Sequence, residues 1–184
     1  LEKVVRTCKE HGIILVYDNA YSEMTFDGYV APSIFDVPGA RDVAIEFHSL
    51  SKTYNMTGWR CGWACGNATI VAALAKVKSF LDTGQFMAVQ RAGIAALESW
   101  ESWVPGNVEV FRQRRDAAVT AFRANGFPDV ESPKASMYLW VPLPAGMNSL
   151  EFHERLMQEE GVIALAGSSL GAGGEGFFRI SFVT

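Results

Sequence analysis

The sequence has few cysteines, and those few are scattered. Among 184 residues only Cys8, Cys61 and Cys65 occur. A small, odd number of cysteines cannot build the disulfide framework of a secreted domain, and it favours a reducing compartment. We therefore expect a cytoplasmic protein, with Cys61 and Cys65 as small buried hydrophobes of an apolar strand.

The chain also lacks a long apolar run and an excess of basic charge. No run approaches the roughly 18–20 apolar residues that span a bilayer, and no charged-then-apolar leader opens the chain. Its 16 Lys and Arg against 20 Asp and Glu give a net charge of −4, which offers no electrostatic surface for nucleic acid. The 49% hydrophobic share is that of an ordinary soluble globular protein, so we expect neither a membrane nor a nucleic acid as partner.

Signals for a metal site or a dinucleotide site are missing as well. His11, His48 and His153 share no ligand spacing, so we predict no metal site. The glycine-rich segment 167–176 precedes a predicted strand instead of opening a helix, which argues against a dinucleotide-binding loop.

What the sequence does contain is an alternation of helix and strand patterns. Apolar residues at helical spacing predict a first helix that ends at Gly12, and Asn67 and Asn148 are predicted helix N-caps. A continuous run of branched apolar residues over 13–16 predicts a strand buried on both faces. Further strands are predicted at 43–47, 60–65, 136–141 and 177–183, and further helices after 67, over 86–103 and from 108 to 126. This order predicts an α/β fold.

The predicted domain boundary lies where Pro105 and Gly106 interrupt the helical pattern. We therefore divide the chain into domains at 1–105 and 106–184. The sequence starts inside a helical pattern and stops inside a strand pattern, so we expect it to be a piece of a larger protein.

Three polar residues follow the second predicted strand: Ser49, Lys52 and Arg60. In α/β sheets, the loops at the carboxyl ends of strands are where ligands bind. The Lys52 amine can form an imine with an aldehyde, while a hydroxyl and a guanidinium hold a phosphate. The alternative is a solvated surface lysine beside an incidental arginine, which composition alone would favour.

A second polar pair, Asp18 and Tyr21, follows the first predicted strand. A carboxylate at a strand end can pair with a protonated pyridine nitrogen, which makes the ring a better electron sink. A phenol on the same turn can hydrogen-bond an oxygen of that ring. The alternative is an ordinary strand-end turn, in which Asp-Asn pairs are common.

Arg179 is a charged residue in the otherwise apolar last strand. Its planar fork is suited to bidentate capture of a carboxylate. The alternative is an arginine on an edge strand that faces water.

The lysine segment resembles the signature of the class I/II, fold type I aminotransferases. That signature, Ser-x-Ser-Lys-x-(aromatic)-x-x-x-Gly-x-Arg-x-Gly, is matched at each fixed position from Ser49 to Gly62. The family's Asp-x-(Ala/Pro)-Tyr motif precedes the lysine segment, as Asp18 to Tyr21 does here. A strand similar to the one around Arg179 occurs near the C-terminus of family members.

The resemblance implies pyridoxal 5'-phosphate as the cofactor. It implies that Lys52 is the Schiff-base residue and proton shuttle, and that Ser49 and Arg60 bind the cofactor phosphate. By the same resemblance Asp18 pairs with the pyridine nitrogen and Tyr21 with the ring oxygen.

The resemblance also implies a fold. Residues 1–105 are expected to be the C-terminal part of the large cofactor-binding domain, with a mixed, mostly parallel sheet and helices. Residues 106–184 are expected to be a small α+β domain in which Arg179 holds the substrate α-carboxylate. Such enzymes are homodimers, and we expect this chain alone to be inactive because the N-terminal part of the site is not in it.

Within the family, segment 47–60 looks closest to the LL-diaminopimelate and alanine aminotransferase branch. The implied reaction transfers an amino group between an L-amino acid and a 2-oxo acid. Two alternatives stay open. The same cofactor serves β-elimination and decarboxylation, and an aminotransferase-like domain can act as the ligand sensor of a transcriptional regulator.

Overall fold

The computed structural model describes residues 1–183, and the chain divides into two compact units. The division falls between Val108 and Glu109, a little beyond the break at Pro105. Each unit has its own three-stranded sheet. The assignment of 1–105 and 106–184 to two domains stays a prediction.

The first unit is built on a sheet of β1 (Leu15–Asp18), β2 (Ala44–Ser49) and β3 (Gly62–Gly66), in that order. β2 pairs parallel to β1 and antiparallel to β3, so the sheet is mixed, as expected. Tyr17 is half-buried but Val16 is 61% exposed, so burial alternates along β1. The prediction that the first strand is buried on both faces is therefore wrong for the described chain.

Helices follow the predicted order around this sheet. They are α1 (Glu2–His11), α2 (Leu50–Thr53), α3 (Ala68–Leu81), α4 (Met87–Glu98) and α5 (Trp100–Ala124). α1 ends at Gly12, whose φ of 62° is left-handed and favours glycine. α3 begins after Asn67, whose side-chain oxygen accepts from the N–H groups of Thr69 and Ile70. Both predicted helix ends are confirmed.

The apolar face of α3 is exposed in the described chain. Leu74, Val77 and Leu81 are 36%, 58% and 79% exposed. The helix predicted after residue 67 is therefore present, but within residues 1–183 its apolar face is not buried.

α5 runs through Pro105, where the sequence predicts a break, so this prediction is wrong. Pro105 cannot donate a hydrogen bond to the carbonyl of Glu101, which weakens a helix at that turn. Packing on both sides of the proline offsets this loss, because Val104 is 3% exposed and Phe111 is 4% exposed.

Two apolar clusters fill the interior of the first unit. One joins α1 to β2 and contains Val5, Ile34, Ala40 and Ala44. The other contains Leu50, Tyr54, Met56 and Val104. The second cluster anchors α2, the helix that carries Lys52.

The second unit contains an antiparallel sheet. Its strands are β4 (Tyr138–Pro142), β5 (Leu165–Ala166) and β6 (Phe177–Ser181), in the order β4-β6-β5. α6 (Ser149–Glu160) lies between β4 and β5 in the chain, and Asn148 accepts from the N–H groups of Leu150 and Glu151. The predicted cap at Asn148 is confirmed, and helices with an antiparallel sheet give the expected α+β unit.

The described residues carry no signal for a membrane span or a metal site. None of the helices in residues 1–183 is long and apolar enough to cross a bilayer. Within the same residues, no group of three or more His, Cys, Asp or Glu side chains is placed to hold a metal ion.

Cys61 is half-buried and Cys65 is exposed, so the prediction of a buried Cys65 is wrong.

Candidate active site

Strand pairing brings three chain segments to one edge of the first sheet. Asp18 ends β1 opposite Phe47, and Ser49 ends β2. The carboxyl ends of parallel strands share one edge, which is where ligands bind in α/β sheets. β3 starts at that same edge, with Gly62 opposite Ser49, and Arg60 lies just before it.

Lys52 is carried by α2, a short helix that follows β2 directly. The hydroxyl oxygen of Ser49 caps this helix by accepting from the Ser51 N–H at 3.1 Å. Ser51 and Thr53 are 8% and 4% exposed, while Lys52 between them is only half-buried. The Lys52 Nζ lies 5.7 Å from the centroid of the Tyr21 ring, within cation–π range. The structure therefore brings the predicted amine and phenol together.

Arg60 lies in a turn that is tied to the lysine helix. Its φ of 54° is left-handed, which is uncommon for a residue with a side chain. Arg60 Nη1 donates to the Thr57 carbonyl at 3.0 Å, and the Thr57 hydroxyl donates to the Ser51 carbonyl at 3.1 Å. Gln85 Nε2 donates to the Arg60 carbonyl at 2.7 Å. These bonds hold an exposed guanidinium at the sheet edge, where it can bind an anion.

Asp18 is exposed at the end of β1. Because side chains alternate along a strand, Asp18 and Val16 lie on the face opposite Tyr17. The turn that follows is fixed to β2, since the Asn19 N–H donates to the Phe47 carbonyl at 2.9 Å. The carboxylate of Asp18 is thus available to a cationic group of a ligand.

A buried carboxylate beside this turn was not predicted from the sequence. Glu46 in β2 is 1% exposed. It accepts hydrogen bonds from Asn19 Nδ2 at 3.0 Å, Ser33 Oγ at 2.7 Å and the Ile34 N–H at 2.8 Å. Its Oε1 also lies 2.8 Å from His48 Nε2. The available sequence signal was a single acidic residue inside the predicted strand 43–47, which is otherwise apolar.

The partners of Glu46 keep its carboxyl group ionised. Burial raises the pKa of Glu46, but the hydrogen bonds from Asn19, Ser33 and Ile34, together with the nearby His48, outweigh burial. The resulting pKa lies below the ordinary value for a glutamate. Glu46 is therefore a fixed negative charge at neutral pH.

A small cavity of about 160 Å³ lies beside the turn that follows β1 and the end of β2. Asn19, His48, Ser49 and Tyr54 are among its lining residues. Tyr54 is 8% exposed, and its hydroxyl has no hydrogen-bond partner among the described residues. Burial, followed by the negative charge of Glu23, raises the pKa of Tyr54, so the hydroxyl stays a donor at neutral pH.

Arg179 belongs to the second unit and lies in the middle strand of its sheet. In β6 it is opposite Trp140 of β4 and Leu165 of β5. The edge-strand explanation of this arginine is therefore wrong. The guanidinium carbon lies 4.2 Å from the centroid of the Tyr138 ring. That distance is within cation–π range, so the Tyr138 ring restricts where the guanidinium can lie.

The chain is similar in sequence to curated enzymes about twice its length. A family model described as aminotransferase class I and II matches residues 1–184. The chain is 47% identical over 180 residues to LL-diaminopimelate aminotransferase 2 of Trichormus variabilis, a match that covers 98% of this chain and 46% of the relative. It is 49% identical over 181 residues to LL-diaminopimelate aminotransferase of Gloeobacter violaceus, with the same coverage. The chain thus spans about half the length of the curated relatives it matches.

Solved structures share the fold of the whole chain. Substrate-bound BacF of Bacillus subtilis matches with a TM-score of 0.91 and 31% identity, covering 100% of this chain and 47% of that one. A probable N-succinyldiaminopimelate aminotransferase of Thermus thermophilus matches with a TM-score of 0.89 and 37% identity. That match covers 100% of this chain and 49% of the solved one.

Proposed function

Because the chain belongs to the class I and II aminotransferase family, we propose that the protein transfers an amino group between an L-amino acid and a 2-oxo acid. Members of that family depend on pyridoxal 5'-phosphate. The observation that carries the proposal is the single sheet edge at which the first unit gathers an amine, a carboxylate, a phenol, a hydroxyl and a guanidinium.

The groups at this edge fit pyridoxal phosphate by their chemistry. The Lys52 amine would attach the aldehyde, and Ser49 and Arg60 would hold the phosphate. Asp18 would pair with the pyridine nitrogen, and Tyr21 would donate to the ring oxygen. When bound, the cofactor supplies an electron sink for bond breaking at the α-carbon of the amino acid.

Lys52 has a second proposed task, as the base that moves a proton from the substrate α-carbon. The buried neighbours Ser51 and Thr53 anchor its helix, so Nζ samples a restricted region at the sheet edge. The Tyr21 ring centroid lies 5.7 Å from Nζ, so the proposed base lies beside the proposed donor to the ring oxygen.

We assign the substrate α-carboxylate to Arg179. Every amino acid and 2-oxo acid substrate carries this group, so one bidentate arginine serves both directions of the reaction. The ring of Tyr138, whose centroid lies 4.2 Å from the guanidinium carbon, supports this assignment because it restricts where the guanidinium can lie.

For the substrate class we propose LL-diaminopimelate as the amino donor, and hence a role in lysine biosynthesis. Two curated relatives at 47% and 49% identity carry LL-diaminopimelate in their names. A solved neighbour is titled a probable N-succinyldiaminopimelate aminotransferase. We further propose that the whole protein is a cytoplasmic homodimer that acts on small molecules.

The test is to trap the cofactor on the full-length protein. Borohydride reduction followed by peptide mapping should place the pyridoxyl group on Lys52, because this amine lies at the same sheet edge as the other proposed cofactor ligands. Lys52→Arg should abolish the label and the activity, whereas Lys76→Arg, which changes an exposed lysine of α3, should preserve both. A pyridoxyl group on Lys76 or Lys134 would refute the assignment.

The reaction itself is tested with the same preparation. Transfer of the amino group from LL-diaminopimelate should require a 2-oxo acid acceptor. Release of carbon dioxide, or loss of a side-chain group without an acceptor, would show a decarboxylase or a β-lyase instead.

A further inference from the structure

Glu46 is the one acidic residue of β2, the central strand of the first sheet, and its position is costly unless its charge is compensated. It is 1% exposed and lies opposite Tyr17 of β1 and Cys65 of β3. A carboxylate removed from water is tolerated only where its oxygens accept enough hydrogen bonds. Its partners therefore indicate what the buried charge is for.

Both oxygens of Glu46 are occupied. Oε1 accepts from Asn19 Nδ2 at 3.0 Å and lies 2.8 Å from His48 Nε2. Oε2 accepts from Ser33 Oγ at 2.7 Å and from the Ile34 N–H at 2.8 Å. Asn19 begins the connection that follows β1, and Ser33 lies within the same connection, just before the short helix Ile34–Asp36. One carboxylate therefore holds both ends of segment 19–33.

Asn19 connects this buried charge to the candidate active site. It follows Asp18 directly and precedes Tyr21 by two positions. Its backbone N–H donates to the Phe47 carbonyl at 2.9 Å, and its side chain donates to Glu46. The residue is thus fixed to β2 at both its backbone and its side chain, on the sheet face opposite Asp18.

We propose that Glu46 is a positioning residue that acts through Asn19 to hold the Asp18–Tyr21 turn in the geometry that the cofactor requires. The assignment rests on the proposed function, since Asp18 and Tyr21 are there the ligands of the pyridine ring. Glu46 itself lies on the opposite face and acts only through the turn. A displacement of about 1 Å in such a turn can lower a turnover rate by up to about 100-fold.

A purely structural role would centre on Ser33 and Ile34 instead. Ser33 caps the short helix Ile34–Asp36, so Glu46 could serve only to anchor that segment. The two roles differ in which partner matters. Removal of Asn19 should reproduce the loss of Glu46 if the carboxylate positions the turn, whereas removal of Ser33 should reproduce it if the carboxylate anchors the helix.

The experiment uses the full-length protein and four variants. Glu46→Gln and Asn19→Ala test the positioning contact, and Ser33→Ala tests the anchoring contact. Glu175→Gln is the matched control, because Glu175 likewise accepts from a serine hydroxyl and a backbone N–H, both of Ser149, but in the second unit.

Two readouts are measured. Hydrogen exchange of residues 19–24 in the apoprotein should accelerate about tenfold or more in Glu46→Gln and Asn19→Ala, and remain unchanged in Ser33→Ala and Glu175→Gln. In the holoenzyme, Glu46→Gln and Asn19→Ala should lower kcat about 10- to 100-fold with KM little changed, and should move the pH midpoint of the cofactor absorbance. The double variant Glu46→Gln/Asn19→Ala should show no larger a decrease in kcat than either single variant, because both changes remove the same contact.

The role of Glu46 and the binding of the cofactor can fail independently. Unchanged exchange and an unchanged absorbance midpoint in Glu46→Gln would overturn the positioning role, as would a Ser33→Ala variant that matches Glu46→Gln in both readouts. If the wild-type protein bound no pyridoxal phosphate, the proposed function would fail, and with it the cofactor part of the role. The exchange measurement on the apoprotein would still decide whether Glu46 holds the turn.

Discussion

At the scale of single residues, two charged side chains in central strands differ in their burial and in their contacts. Glu46 is buried with four polar contacts, whereas Arg179 is half-buried and stacks on Tyr138. A charge whose oxygens are all occupied is suited to holding the protein together. A guanidinium that packs on an aromatic ring and is only half-buried is suited to holding a ligand.

Replacement of Arg179 tests the second of these roles. Arg179→Ala in the full-length enzyme should raise KM for donor and acceptor alike, because both carry the α-carboxylate. Truncating one partner of a buried charge pair costs about 2–5 kcal/mol, so kcat/KM should fall at least roughly thirty-fold. Arg179→Lys should recover only part of the loss, since an ammonium cannot reproduce the fork.

The control for Arg179 is Arg155→Ala, which removes an exposed arginine of α6 that pairs with Glu159. This change should leave both Michaelis constants unaltered. Cofactor affinity should also be unaffected in Arg179→Ala, because Ser49 and Arg60 are the proposed phosphate ligands. Lost cofactor affinity with normal substrate constants would show that a different arginine binds the carboxylate.

At the scale of secondary-structure elements, the two glycines of the lysine signature, Gly58 and Gly62, differ in the space that surrounds them. A Cβ at Gly62 would lie 2.5 Å from the His48 carbonyl oxygen, because β3 approaches β2 closely there. A Cβ at Gly58 would meet nothing within 4 Å. The motif therefore contains one glycine that the strand pairing requires and one that the packing of the described residues does not.

These glycines form a matched pair for a stability measurement. Gly62→Ala should lower the free energy of unfolding by about 1–3 kcal/mol, since the clash is with backbone and must be relieved by moving a strand. Gly58→Ala should change it by less than about 1 kcal/mol. Urea denaturation of the full-length apoprotein measures both, and equal losses would contradict the account of strand contact.

At the scale of the whole molecule, the first unit exposes large apolar side chains that folded proteins usually bury. Phe80, Leu81 and Phe86 are 84%, 79% and 75% exposed. They cluster in sequence at the end of α3 and in the loop that follows. Groups of exposed apolar side chains mark an interaction site or a tendency to associate.

The 184-residue chain on its own should therefore behave differently from the full-length protein. We expect it to self-associate or precipitate, to bind pyridoxal phosphate poorly and to show no transaminase activity. The full-length protein should be active and monodisperse. Light scattering after size exclusion, cofactor absorbance and an amine-transfer assay measure these properties, and a monodisperse, active preparation of residues 1–184 would refute the expectation.

The sequence alone determined those features that depend on neighbouring residues. Gly12, Asn67 and Asn148 end or begin helices because each acts on backbone groups within a few positions of itself. The sequence also predicted that Asp18 and Lys52 each follow one of two successive strands. The parallel pairing of those strands then placed both residues at one sheet edge, as expected.

Only the tertiary structure decided what depends on residues far apart in the chain. The helix persists through Pro105 because packing on both sides offsets one missing hydrogen bond, which no local pattern reveals. Glu46 is satisfied by Asn19 and Ser33, 27 and 13 positions away, so its burial could not be inferred from its strand neighbours. Local hydrogen bonds are encoded by adjacent residues, whereas the compensation of a buried charge requires that distant segments already be brought together.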